Sequence, residues 1–170
     1  MTHNDSTQTP EARMELILIN ISGPDRAGVT TQLTDILARH DAAILDIGQA
    51  DIHHNLALGI LFKTDSRRSG DILKELLFKT ASLKVQVQFN IISREDYDRW
   101  VGMQGRNRHI ITILGREITA RQIAETTRII TEQNLNIDSI TRLTGRMPLD
   151  ARQQPAAKAC IEFSVRGTPR

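Results

Sequence analysis

ILINISGPDRAGVTTQLTDILARHDAAILDIGQADIHHNLALGILF, residues 17–62, is the stretch on which the fold turns. It enters on LILINIS, 16–22, an apolar run of strand length, and stops at the turn formers of GPDRAG, 23–28. Val29, Leu33, Ile36 and Leu37 then recur at helical spacing, one apolar stripe from about residue 27 to 40. AAILDIGQADI, 42–52, reads as a second strand and LALGILF, 56–62, as a third, with His53, His54 and Asn55 as the hairpin turn between them. Working outward, Ile72, Leu73, Leu76 and Leu77 mark a second amphipathic helix over 67–82. Val85, Val87, Phe89 and Ile91 alternate with polar residues, the period of a half-buried strand. The order βαββαβ is ferredoxin-like: an α+β unit over residues 14–93, with an antiparallel sheet and both helices on one face.

The pattern restarts downstream. HIITILG, 109–115, resembles ILINISG, 17–23, and Gly115 follows Gly23 by the same interval, 92 residues, that separates Asp138 from Asp46. A helix over 119–134, a strand over 135–140, a polar loop at 142–155 and a strand over 158–165 complete the count. The domains expected are a disordered tail (1–13), a first unit (14–93), a charged linker (94–107) and a second unit (108–170) lacking its last helix and strand. A cut unit should expose apolar surface from Ile111, Ile113, Ile137, Ile161 or Phe163.

Composition narrows the function. Hydrophobic residues are 39% of the 170 and aromatics only 4%, so the core is aliphatic. No apolar run approaches bilayer length, and no signal or transit pattern opens the chain, so the expectation is a cytoplasmic protein with no membrane partner. Twenty-two Lys and Arg against 20 Asp and Glu, dispersed along the chain, do not suggest a nucleic-acid partner. One cysteine, Cys160, excludes an internal disulfide framework, and its place on a strand suggests a small core residue. No phosphate loop, nucleophile elbow or metal-spaced His/Glu pair is present, so no catalytic residue, metal or cofactor is expected on this segment. Asp96-Tyr97-Asp98 has an Asp-x-Asp spacing, but Ser93-Arg94-Glu95 separate it from the strand that a nucleophile would need to terminate. His53 and His54, as neighbours, are poorly placed to chelate one ion.

The loop at 23–28 is the most informative site. It delivers a buried strand to a helix N-terminus, where free N–H groups favour an anion such as an amino acid's carboxylate. Asp25 could receive the ammonium group of that ligand, and Gly28 leaves room for its approach. The alternative is that Asp25 caps the helix and Pro24 makes the turn, with no ligand. With Gly28 placed in the first helical turn, Gly28→Ala is expected to cost little, alanine being the better helix former by about 1 kcal/mol.

These residues resemble a known family. A βαββαβ unit with a GPDRAG loop is similar to an ACT domain, a small module that senses amino acids. Residues 17–62, DIGQADIHHNLALGILF above all, closely resemble the first of two ACT domains at the N-terminus of some bacterial phosphoserine phosphatases. The second repeat and its FSVRG, 163–167, are similar to the second. The resemblance implies tandem ACT domains, the second truncated, in a homodimer that binds an amino acid, L-serine. Asp25 and Gly28 in the first loop and Gly115 in the second would line the sites. The second loop, Gly115-Arg116-Glu117-Ile118-Thr119, departs from the pattern by lacking Pro and the second Gly. The resemblance also implies a haloacid-dehalogenase-type catalytic domain, absent here, that hydrolyses O-phosphoserine with magnesium. The other readings are a free-standing tandem ACT regulator like the glycine-cleavage repressor, and a dimerisation module without ligand.

Overall fold

The computed structural model of the chain describes residues 13–105, 107–145 and 158–170. They form two compact units that divide between Asp98 and Arg99. In the first, β1 (Met14–Pro24), α1 (Val29–Arg39), β2 (Ala43–Ile52), β3 (Asn55–Asp65), α2 (Ser66–Leu83) and β4 (Gln86–Ile92) follow the expected order. The sheet runs β2-β3-β1-β4, every pair antiparallel. Alternation along β1 puts Ile17, Ile19 and Ile21 on the helix face, opposite Phe62, Ile60 and Leu58 of β3. Val29, Leu33, Ile36 and Leu37 of α1 and Ile72 and Leu76 of α2 close that core. Each such side chain contributes about 1.5–3 kcal/mol on burial.

The connections explain the boundaries. The β2–β3 turn is two residues, His53 and His54, both left-handed (φ 55° and 59°), so Asn55 already belongs to β3. Two consecutive positive φ values are what a tight hairpin of this twist requires. Gly23 also has a positive φ (148°), and a Cβ there would lie 3.1 Å from Val85, so only glycine fits. Asp65 caps α2, its Oδ1 accepting the N–H of Arg67 at 2.9 Å.

The segment expected as a linker is helical: α3 spans Arg94–Gln104. Ser93 starts it, its Oγ accepting the N–H of Asp96 (3.0 Å) and donating to the Asp96 carboxylate (2.8 Å). Asp96 therefore has a capping role. Beyond it lie β5 (Arg108–Gly115), α4 (Ala120–Glu132), β6 (Asn136–Arg142) and β7 (Ala159–Arg166), the strands ordered β5-β7-β6 and antiparallel. Phe163 and Val165 of β7 and Ile130 of α4 are its fully buried centre. Tail residues 1–12 and loop residues 146–157 lie outside the described residues.

The ladders correct three expectations. Gly115 opposes Ala159 as Gly23 opposes Leu56, so that repeat anchor holds. Asp46 opposes Leu61, however, whereas Asp138 is the extra residue of a β-bulge between Ile137 and Ser139. In the first unit the extra residue is Leu45, so Asp138 matches Leu45 and the repeat slips by one. Asp138 instead ion-pairs with Arg166. Cys160 is half-buried and pairs with Leu114 on the face turned away from α4, outside the core. Of the residues expected to be bare, Phe163 is fully buried and Ile111, Ile113, Ile137 and Ile161 are partly covered.

Candidate functional site

The loop between β1 and α1 is built by three local choices. The β1–β3 ladder continues to Pro24 opposite Asn55, and the N–H of Asp25 then donates to the carbonyl of His54 at 2.8 Å. The loop is thereby held against the two-histidine turn. Gly28 is the N-cap of α1, left-handed at φ 87°, ψ 0°, and no side chain caps the helix. The N–H of Val29 donates to the Arg26 carbonyl at 3.3 Å. That leaves the N–H groups of Thr30 and Thr31, which no helix can satisfy internally, at the partially positive helix end.

Around this end stand residues of suitable chemistry. Thr30 Oγ1 donates to Gln49 Oε1 of β2 at 2.7 Å, which leaves the Gln49 amide hydrogens available. Asp25 is exposed and, among the described residues, its carboxylate accepts no hydrogen bond. The set offers N–H donors for a carboxylate, an acidic group for an ammonium and an amide for a hydroxyl. The cap alternative for Asp25 is excluded, because α1 has no side-chain cap. Gly28 lies one residue before the helix, not within its first turn. A Cβ on it would meet only Gln32 Nε2, at 3.8 Å.

Gly115 belongs to the second unit, in a different kind of loop. Its backbone is half-buried, and a Cβ there would lie 3.1 Å from the Glu117 carbonyl oxygen. Thr119 caps α4 through a complete capping box: its Oγ1 accepts the N–H of Gln122, and Gln122 Oε1 accepts the N–H of Thr119. The helix end that is open in the first unit is closed by its own residues in the second. Thr119 followed three residues later by Gln122 was the signal for this in the sequence; Gln49 and Thr30, which carry no motif, had none.

Two other features are separate from this loop. On the sheet face opposite the helices, a depression of about 360 Å³ is lined by Asn20, Ser22, Ala57, Gly59, Gln86 and Gln88, among others, without a charge. His53 and His54 stack edge to face, 5.9 Å between ring centres. No cluster of three metal-ligating side chains occurs among the described residues, and among them no helix is long and apolar enough to cross a membrane.

ACT domain signatures match residues 15–90 and 107–150. With the two ferredoxin-like sheets in place, the chain belongs to the ACT domain family and carries two such domains. Among curated proteins it is 33% identical over 152 residues to a phosphoserine phosphatase of Streptomyces coelicolor, a match over 89% of this chain and 33% of that protein. It is 30% identical over 125 residues to the phosphoserine phosphatase SerB2 of Mycobacterium tuberculosis, covering 73% of this chain and 30% of that one. The chain thus spans about a third of the length of these relatives, and its two ACT domains are similar to the part of them that it matches. Its fold is similar to that of a candidate glycine cleavage system transcriptional repressor, with TM-score 0.63, 13% identity and coverage of 91% of this chain and 81% of that one. It is equally similar to a protein of unknown role from Galdieria sulphuraria, with TM-score 0.62, 14% identity and the same coverage.

Proposed function

We propose that this chain is the amino-acid-sensing regulatory region of a phosphoserine phosphatase, with L-serine held at the β1–α1 loop. The observation that carries the reading is the contrast between the helix ends: α1 has no side-chain cap, and α4 has a complete capping box. The serine carboxylate sits on the N–H groups of Thr30 and Thr31, its ammonium faces Asp25, and its hydroxyl takes the Gln49 amide. The second loop, around Gly115, is silent. Regulation requires that serine bind one arrangement of a homodimer more tightly than another, and its effect equals that difference. Magnesium and the hydrolysis of O-phosphoserine are assigned to the remaining part of a longer protein.

Titration calorimetry with serine, glycine and alanine tests this. Serine should bind more tightly than glycine or alanine, and Gln49→Ala should remove that preference. Gly28→Asn, a residue that tolerates a left-handed backbone, should fold and lose binding by filling the approach. Tighter binding of glycine would favour a free-standing regulator, and no heat with any of the three would leave a dimerisation module. The chain alone should hydrolyse no O-phosphoserine with magnesium present; turnover abolished by Asp96→Asn would overturn the assignment.

A further inference from the structure

The depression on the outer face of the first sheet has no part in the loop site, and the register of the strands shows how it is made. Two ranks of residues cross it from β4 to β2. One rank is Gln88, Asn20, Gly59 and Gly48; the next is Gln86, Ser22, Ala57 and Ala50. Each rank is polar on β4 and β1 and carries only glycine or alanine on β3 and β2. A wall of carboxamides thus stands beside a floor of nearly bare backbone, with about 360 Å³ of space above it.

The second unit is the internal control. Gly23 and Gly115 occupy the same place in the two ladders, so Asn20 corresponds to Thr112, Gly59 to Glu162, Ala57 to Cys160 and Gly48 to Thr141. The same sheet takes larger side chains at the floor positions, so the depression is not demanded by the fold. Packing does not demand it either. Gly48 and Gly59 face each other across the ladder, and neither has a positive φ. A Cβ on Gly48 would meet nothing within 4 Å, and one on Gly59 would lie 3.6 Å from Asn20 Oδ1, an ordinary contact. Glycine inside a strand weakens it, and one with no conformational or packing reason marks the close approach of another molecule.

The lining narrows what approaches. None of the residues bordering the depression is charged, so nothing there neutralises a carboxylate, a phosphate or an ammonium group. Among the described residues, the side chains of Asn20, Ser22, Gln86 and Gln88 have no hydrogen-bond partner. A carboxamide offers a donor and an acceptor side by side. That pair matches the N6–N7 edge of adenine bidentately. The peptide planes of the floor suit the flat face of the same ring.

We propose that the outer face of the first sheet binds an uncharged purine base, its ring on Gly59 and Ala57 and its N6–N7 edge on the Asn20 carboxamide. The site is independent of serine at the first loop: Gln49 turns toward α1, where Thr30 holds it, and Gly48 beside it turns the other way.

The test is a nuclear magnetic resonance titration of the full chain with adenine, 7-deazaadenine, adenosine and adenosine monophosphate. Adenine at millimolar concentration should shift the side-chain amide signals of Asn20, Gln86 and Gln88. 7-Deazaadenine, which lacks the N7 acceptor, should bind about tenfold more weakly, and Asn20→Ala should weaken adenine by as much and erase the difference between the two. Gly59→Val, a residue that strands favour, should fold with an unchanged circular dichroism spectrum and lose adenine binding. Adenosine monophosphate should bind no more tightly than adenosine, because no cation borders the site. Markedly tighter binding of the monophosphate overturns the proposal, since the phosphate would then be the group recognised. Equal affinity for adenine and 7-deazaadenine, amide signals that do not move with adenine, or adenine binding that survives Gly59→Val overturns it too. A dimer that dissociates on Gly59→Val, with no response to adenine, would give the face to a second copy and likewise overturn it.

Discussion

Gly28 holds a left-handed backbone at the N-cap of α1, with φ 87°. Any L side chain there brings its Cβ too close to the following carbonyl, at a cost of about 1–2 kcal/mol. The expectation that alanine is harmless rests on its helix propensity, which applies only inside a helix. Gly28→Ala should therefore lower stability by about 1–2 kcal/mol, and Gly28→Asn by less; thermal denaturation followed by circular dichroism compares them, and an alanine variant as stable as the parent would refute the strain. His53 and His54 are a second case, since both are left-handed in a turn where Asn-Gly is the favoured pair. Replacing His53-His54 by Asn-Gly should stabilise the chain by about 1 kcal/mol or more. Serine affinity should be unchanged, because the loop is tied to the carbonyl of His54 and not to its ring. A melt without gain, or a loss of affinity, would show that the histidines act through their side chains. At this scale the sequence is only partly legible. GPDRAG announces a turn, and HHN a hairpin, but residue types do not reveal which glycine or histidine takes a positive φ.

The helices α1 and α2 are joined by more than their apolar stripes. Glu75 accepts from His40 at 2.8 Å and from Arg39 at 2.9 Å, while Arg68 donates to Asp41 at 2.9 Å. The hydrogen bond from His40, and then the charge of Arg39, hold the Glu75 carboxyl below its ordinary value of 4.5. A depressed acid stabilises the fold fully above its unfolded value and loses that contribution as pH falls through its folded value. The Glu75 contribution is therefore complete above about pH 4.5 and decays below it. Asp65 follows the same sign lower down: side-chain and backbone hydrogen bonds from Arg67 hold it at about 2, against 3.8. Glu75→Gln should flatten the stability curve just below pH 4.5. Asp65→Asn, which still offers a cap oxygen, should flatten it between 3.8 and 2. Melting temperatures measured across pH 2–6 decide; parallel curves for parent and variants would mean that these contacts are solvated away. Elements are where the sequence reads best. Apolar runs, alternation and the i, i+3, i+4 stripes locate the seven strands and the three amphipathic helices of the described residues. α3 is missed because REDYDRWVGMQ has no apolar stripe, and Gly102 within it and Gly105 just after it suggest a linker by composition. The repeat slip at Asp138 is invisible because both units carry the bulge and the extra residue enters upstream, between Gly115 and Ile130, where it leaves the strand and helix patterns on either side unchanged.

At the scale of the whole molecule the two units differ in how much core each owns. Fourteen buried side chains form the centre of the first. Among the described residues the second has three, Ile130, Phe163 and Val165, ringed by half-covered isoleucines. Burial at about 1.5–3 kcal/mol per large side chain must offset a chain entropy that grows with every ordered residue, so the second unit has much the smaller margin. Unfolding should accordingly proceed in two steps, with the second unit exchanging its amide hydrogens faster than the first. Phe163, fully buried between α4 and the sheet, gives the decisive variant. Phe163→Ala removes about 3–5 kcal/mol, which exceeds what three buried residues can hold in reserve. The amides of β5, β6 and β7 should lose protection together, while those of β1 and β3 keep theirs. Phe62→Ala, the same truncation at the fully buried phenylalanine of the first unit, costs a similar amount but meets a larger reserve, so β1 and β3 should remain protected at reduced stability. Hydrogen exchange read by mass spectrometry on both variants separates the outcomes. Simultaneous loss of protection in both units with Phe163→Ala would show one cooperative fold and defeat the division into two stabilities.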